Sequence, residues 1–303
     1  MKRAIRITIP FIVAALVASA CGNAGTSGGT KPAITIGSTN FSEQLVLGEL
    51  YSQILEANGY TVTRKFNLGN REIVFPALQS GQIDMEADYL ATLLAFVDKT
   101  ATGSTDPKAT SATLQKALTP KGVTVLDHAP AVDQNGFVVT KATADKYKLA
   151  KLSDLAPIAN QLVLGGPPEC PNREFCAPGL KSKYGITFKE FKPLDVGGPL
   201  TVTALVGGQI DVGLLFTSDA TIAVRGFVLL EDDKQLQLSD NVAPVVRTDY
   251  LTKAGDDFKK IINSIAPKLT TAELTGMNKL VEIDKKDPKD VAKEWLKKQG
   301  LIK

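Results

Sequence analysis

The chain has 303 residues, 35 of them Lys or Arg and 32 Asp or Glu, for a formal net charge of +3. Hydrophobic residues at 44% and charged residues at 22% exclude a disordered chain and a multispanning membrane protein. The charge excess equals Lys2, Arg3 and Arg6 alone; without the acid-free first 20 residues the balance is 32 against 32, which leaves no basic field for nucleic acid.

Behind the basic start, Ile7 to Ala20 is an apolar run broken only by Thr8, Pro10 and Ser19. It is too short for a comfortable bilayer span and reads as a secretory signal peptide over residues 1–20. Its end, Val17-Ala18-Ser19-Ala20-Cys21, resembles a bacterial lipobox, which makes Cys21 the expected lipidated first residue of the mature protein. Cleavage after Ala20 with an unmodified cysteine is the alternative. Residues 21–31 are rich in Gly, Ser and Thr and suit a flexible linker from the anchor. The protein is therefore expected outside the cytoplasm, held to the cell membrane as a lipoprotein. A Gly-x-Ser-x-Gly at Gly25–Gly29 lacks the strand and helix that a nucleophile elbow needs.

Ala33–Gly37 then reads as a strand. Asn40, three residues before Glu43, suggests a capping box opening a helix whose Leu45, Val46, Leu50, Tyr51, Ile54 and Leu55 recur at helical spacing until Asn58-Gly59. Tyr60–Phe66 is a second strand, and the alternation argues for an α/β fold. A near-repeat follows. Ala77-Leu78-Gln79-Ser80-Gly81-Gln82-Ile83-Asp84-Met85 returns as Ala204-Leu205-Val206-Gly207-Gly208-Gln209-Ile210-Asp211-Val212, each a helix end, a glycine cap and a buried strand. Beyond each copy an aromatic stands near polar groups, Tyr89 after the first and Phe216 after the second. Ligands of open α/β sheets bind at such strand ends, so two lobes of this kind would share one cleft.

Cys170 and Cys176 form an even pair in a Pro-rich loop, and an oxidising compartment favours a disulfide over two free thiols. The single histidine, His128, reads as structural, and no metal site or cofactor motif is recognisable. With so little catalytic chemistry, a binding protein fits better than an enzyme. An enzyme would have to use a carboxylate pair such as Asp88 and Asp219 in the same cleft, and a receptor for an unrelated small solute is the other alternative.

The run Ile36-Gly37-Ser38-Thr39-Asn40-Phe41-Ser42-Glu43-Gln44, with Asn67-Leu68-Gly69, Pro76-Ala77-Leu78, Gly81-Gln82-Ile83-Asp84, Asp88-Tyr89, Thr92, Asn135-Gly136-Phe137, Pro178-Gly179-Leu180, Tyr184-Gly185 and Ala243-Pro244, resembles the substrate-binding proteins of ABC importers for glycine betaine, choline and carnitine. The resemblance implies a two-lobed type II periplasmic-binding-protein fold with the ligand cleft between its lobes, and an ABC permease as partner. It places lobe I at residues 32–134 and 222–303 and lobe II at 135–221. It also implies a quaternary ammonium held in an aromatic cage, because a methylated cation donates no hydrogen bond but is attracted to ring faces. By the same resemblance Tyr89, Phe137 and Phe216 stand at cage positions, Thr92 at one that helps set ligand choice, and Asn135 two residues before Phe137. Arg173 aligns with an arginine used on a ligand carboxylate, and Thr39 stands where some members have lysine. Asp240 falls near a fourth cage position, as a countercharge to the cation or as a solvated loop residue.

Overall fold

The computed structural model describes residues 31–303; the expected signal peptide, Cys21 and all but the last residue of the linker lie outside the described residues. In chain order the first part contains β1 (Ile34–Gly37), α1 (Ser42–Ala57), β2 (Val62–Lys65), α2 (Arg71–Gln79), β3 (Met85–Tyr89), α3 (Leu90–Val97), α4 (Pro107–Leu118) and β4 (Val123–Val125). A second part holds β5 (Asn135–Val139), α5 (Lys141–Tyr147), β6 (Val163–Gly166), α6 (Ala177–Tyr184), β7 (Glu190–Pro193), α7 (Pro199–Val206), β8 (Val212–Phe216), α8 (Thr221–Arg225) and β9 (Val228–Leu229). The chain closes with β10 (Val242–Arg247), α9 (Thr248–Asn263, broken at Gly255), α10 (Thr271–Glu282) and α11 (Pro288–Lys298).

The strands form two five-stranded sheets, ordered β2-β1-β3-β10-β4 and β7-β6-β8-β5-β9. Both follow one plan: three parallel strands, then a fourth antiparallel to the third. Each sheet with its helices is one lobe. The chain crosses between lobes twice, and the two crossings are paired. Val132 bridges Asn241, and the Asp133 amide donates to the Asp240 carbonyl at 3.1 Å.

The return to lobe I was expected at residue 222, but β9 at 228–229 is still bonded to β5 of lobe II, so the return falls near Asp240. A two-residue strand is too short to carry a periodicity, so nothing in the sequence marks β9 as part of lobe II.

The near-repeat is the same structural unit in each lobe. Gly81 and Gly208 take left-handed φ of 78° and 67° between helix and strand. Asp84 and Asp211 then accept the amides of Thr35 and Val163 at 2.8 and 2.9 Å, tying the start of the central strand to its parallel neighbour. Tyr89 and Phe216 consequently end equivalent strands.

Helix α1 has apolar residues on most of its circumference because it is covered on both sides. Val46, Leu47, Leu50 and Ile54 pack in one core with strand residues Ile34 and Ile36 and with Trp295 and Leu296 of α11. Fully burying each such side chain is worth about 1.5–3 kcal/mol. The expected capping box does not form: the N-cap is Phe41, and no side chain caps the helix. Glu43 turns inward instead, where it is 2% exposed. The cysteine pair is bridged, with Cα atoms 5.2 Å apart.

Candidate functional site

A cavity of about 320 Å³ lies between the lobes at the carboxyl ends of β3 and β8. Tyr89 and Phe216 reach it from the paired strand ends, and Phe41 stands between them. The Phe41 ring is 5.0 Å from Phe216 and 6.5 Å from Tyr89, so one aromatic from the N-terminus of α1 joins the two lobes' rings into a row. Phe41 was missed as a site residue because its sequence neighbours, Asn40 and Ser42, read as a helix cap.

The Tyr89 hydroxyl donates to the Glu43 carboxylate at 2.5 Å and accepts from the Gln44 amide at 3.1 Å. Glu43 also accepts from Ser218 of lobe II and Asn278 of α10, each at 2.6 Å. Burial pushes the Glu43 carboxyl pKa upward, opposed by these three donors. Burial, and next the Glu43 charge, push the Tyr89 hydroxyl pKa up as well, so the phenol stays protonated and a donor.

Across the cavity Arg71, the first residue of α2, is 8% exposed and clamps Asp88 with Nε at 2.9 Å and Nη2 at 2.5 Å. Its Nη2 also donates to the Thr92 hydroxyl at 2.8 Å. Arginine in a first helical turn opposes the macrodipole, and that mismatch was the unread signal for Arg71 in the sequence.

Asp240 lies in the second crossing segment and is 2% exposed, so it is not a solvated loop residue. Its carboxylate accepts the Thr92 amide at 2.8 Å. Burial raises its pKa to about 7, despite that amide and the nearby Arg71. Asp133, in the first crossing, is raised by burial and by the Glu43 charge.

Arg173, in the disulfide loop of lobe II, lines the cavity but points its fork at Glu72 of lobe I, with bonds of 3.1 and 2.8 Å. Asn135 lines the cavity and donates to the Phe175 carbonyl at 2.9 Å. Thr39 also lines it, and its buried hydroxyl finds no hydrogen-bond partner among the described residues.

Of the expected site residues Tyr89, Thr92, Asn135, Arg173, Phe216, Thr39 and Asp240 converge on the cavity, and Phe137 does not. Phe137 is 1% exposed and packs in the lobe II core opposite Leu214. Strand β5 starts at the cleft with Asn135 and runs away from it. Two residues on, Phe137 stands about 7 Å deeper on the same face.

A second chamber of about 300 Å³ adjoins the first behind Phe41 and Phe216, and it holds Asp219 and Glu282. Asp88 lines the first cavity and Asp219 the second, so these two carboxylates do not share one cavity. His128 lines neither cavity. Among the described residues no group of His, Cys, Asp and Glu is placed to hold a metal, and no helix is long and apolar enough to cross a membrane.

Residues 32–298 match the family described as the substrate binding domain of ABC-type glycine betaine transport systems. The chain is 29% identical over 300 residues to a carnitine transport binding protein of Listeria monocytogenes, covering 97% of this chain and 96% of that one. It is 27% identical over 262 residues to an ergothioneine transport permease and binding protein of Helicobacter pylori, covering 86% of this chain and 46% of the longer relative. A crystal structure of a glycine betaine/carnitine/choline ABC transporter protein superposes with a TM-score of 0.70 at 29% identity, over 88% of this chain and 99% of that one.

Proposed function

The chain belongs to the family of substrate-binding domains of ABC-type glycine betaine transport systems, and on that premise we propose that it is an extracytoplasmic receptor for a quaternary-ammonium solute, delivered to an ABC permease. The observation that carries the reading is the row Tyr89, Phe41 and Phe216 in the cavity between matching strand ends. Each ring face offers a cation about 0.5–2 kcal/mol, and the methyl groups of a quaternary ammonium make no demand for acceptors that rings cannot supply. The cage thus uses Phe41 in the place expected for Phe137. Thr92, Asp240, Asn135, Thr39 and Arg173 supply the polar part of the site.

Closure supplies the transport signal. The rings come from both lobes, so a ligand seated among them makes contacts that exist only when the lobes meet, and its binding shifts the population to the closed form. A permease reads that form. Relatives support the pairing, since the Helicobacter pylori protein carries permease and binding protein together in one chain. Attachment through a lipidated Cys21, with residues 21–31 as tether, would keep the receptor beside its permease.

Isothermal titration with choline, glycine betaine, carnitine and the non-quaternary ectoine tests the reading. Heat with a methylated ammonium compound and none with ectoine is the expected result. No binding of any methylated ammonium compound would remove it.

A further inference from the structure

Resting on that functional reading, we propose that the site is built for a quaternary ammonium alcohol, a monocation with a hydroxyl group and no carboxylate, in preference to a zwitterionic betaine. Three features of the cavity carry this.

The first is the state of its guanidinium groups. A ligand carboxylate needs a basic fork, and both forks facing the cavity are already engaged by carboxylates of the chain. Arg71 is clamped on Asp88 and the Thr92 hydroxyl, and Arg173 on Glu72 with Glu169 at 3.7 Å. Moving Arg173 from the partly exposed Glu72 to a ligand would exchange one ion pair for another, so the net gain is small. The remaining lysine of the lining, Lys99, is solvent-exposed.

The second is an uncompensated acid. Asp240 is buried, lines the cavity, accepts the Thr92 amide, and forms no ion pair among the described residues. A cation placed among the rings supplies the missing charge. A betaine brings its own carboxylate, which cancels much of that attraction and adds a third anion beside Asp88 and Asp240.

The third is an unmet acceptor. The Gln44 amide group is oriented by its bond to the Tyr89 hydroxyl, which leaves Oε1, buried and without a hydrogen-bond partner among the described residues. Gln44 lines the same cavity and is 1% exposed. A buried acceptor of this kind calls for a donor, because an acceptor taken out of water with no partner is unfavourable. A ligand hydroxyl is such a donor. Glycine betaine has none, and tetramethylammonium has none.

The test is calorimetric titration of the mature protein at about pH 8, where Asp240 is ionised, with choline, tetramethylammonium and glycine betaine, repeated on Asp240→Asn and Glu72→Gln. Choline should bind about tenfold or more tightly than glycine betaine and several-fold more tightly than tetramethylammonium. Asp240→Asn should lower choline affinity by about tenfold and leave glycine betaine within about threefold, collapsing the preference. Glu72→Gln, at a partly exposed position, frees Arg173 and should strengthen glycine betaine binding several-fold with choline unchanged. If Asp240→Asn fails to fold by circular dichroism, the Glu72→Gln result decides. Glycine betaine binding as tightly as choline, or an unchanged choline-to-betaine ratio in the folded variants, overturns the proposal while the receptor reading stands. Absence of binding by every methylated ammonium compound overturns both.

Discussion

At the scale of single residues, Tyr89 has two jobs that can be separated. Its ring faces the cavity, and its hydroxyl satisfies a buried carboxylate, Glu43. Tyr89→Phe keeps the ring but removes one donor to Glu43 and the acceptor of the Gln44 amide, so it should destabilise the fold by about 1–3 kcal/mol while the ring contact with ligand remains. Tyr89→Ala should in addition weaken ligand binding by about tenfold; denaturant unfolding and calorimetry read the two effects independently. Asp240 sets a pH dependence. Its pKa rises from 3.8 in the unfolded chain to about 7 in the folded one, so the folded state holds more protons between those values. Its contribution to stability is therefore fully present below about pH 4 and is lost as pH rises through about 7. The groups facing it are Arg71, Asp88, Asp133 and the Thr92 amide, and none of them supplies a free cation. A bound cation would favour the ionised form, so the gain in Tm on adding ligand should grow from about pH 6 to about pH 8 in the wild type and stay flat in Asp240→Asn. A gain that does not change with pH would detach Asp240 from the ligand.

At the scale of elements, the repeated helix–glycine–strand unit decides where the site residues stand. Gly208 holds a left-handed φ with open space around a would-be Cβ, so Gly208→Ala should cost about 1–2 kcal/mol, the left-handed penalty alone. Gly81 differs. A Cβ there would lie 2.2 Å from the Arg247 Nη1, whose group pairs with Asp84 at 3.3 Å. Gly81→Ala should therefore cost more than its counterpart, and urea unfolding of the two variants checks the order. The Cys170–Cys176 bridge closes a short loop that carries Arg173. Replacing both cysteines with serine should lower stability by about 2 kcal/mol through the loop entropy of the unfolded chain, measured against the oxidised wild type.

At the scale of the whole molecule, the lobes are joined by contacts of two kinds. Two paired crossing segments form the hinge near Asp133 and Asp240. Ser218 belongs to the hinge, its amide donating to the Asp133 carboxylate at 3.0 Å and its hydroxyl to Glu43, whereas Arg173 to Glu72 joins the lobes beside the cavity. The hinge contact is buried and the Arg173–Glu72 pair partly exposed, so the former contributes more to stability. Ser218→Ala removes a buried hydroxyl from the hinge network of Glu43 and Asn278 and should lower stability by about 1–3 kcal/mol, read by urea unfolding. An unchanged stability would mean that the Ser218 hydroxyl contributes nothing to the hinge network.

What the sequence determined by itself was the local grammar: the strand–helix alternation, the repeat with its paired glycines and aspartates, the paired cysteines, and the strand ends where Tyr89 and Phe216 stand. Those features depend on neighbours a few residues apart, so spacing reveals them. The tertiary structure decided the rest. Phe137 is core and Phe41 lines the cavity, because position relative to the cleft, not residue type, sets which ring faces it. Glu43 left its cap for a buried network, and β9 held the chain in lobe II past residue 222. Arg71 and Glu72, adjacent in sequence, face different carboxylate and guanidinium partners 17 and 101 residues away. Which charges neutralise one another is fixed by long-range packing, and that pairing, invisible in composition or period, is what leaves Asp240 without an ion pair among the described residues.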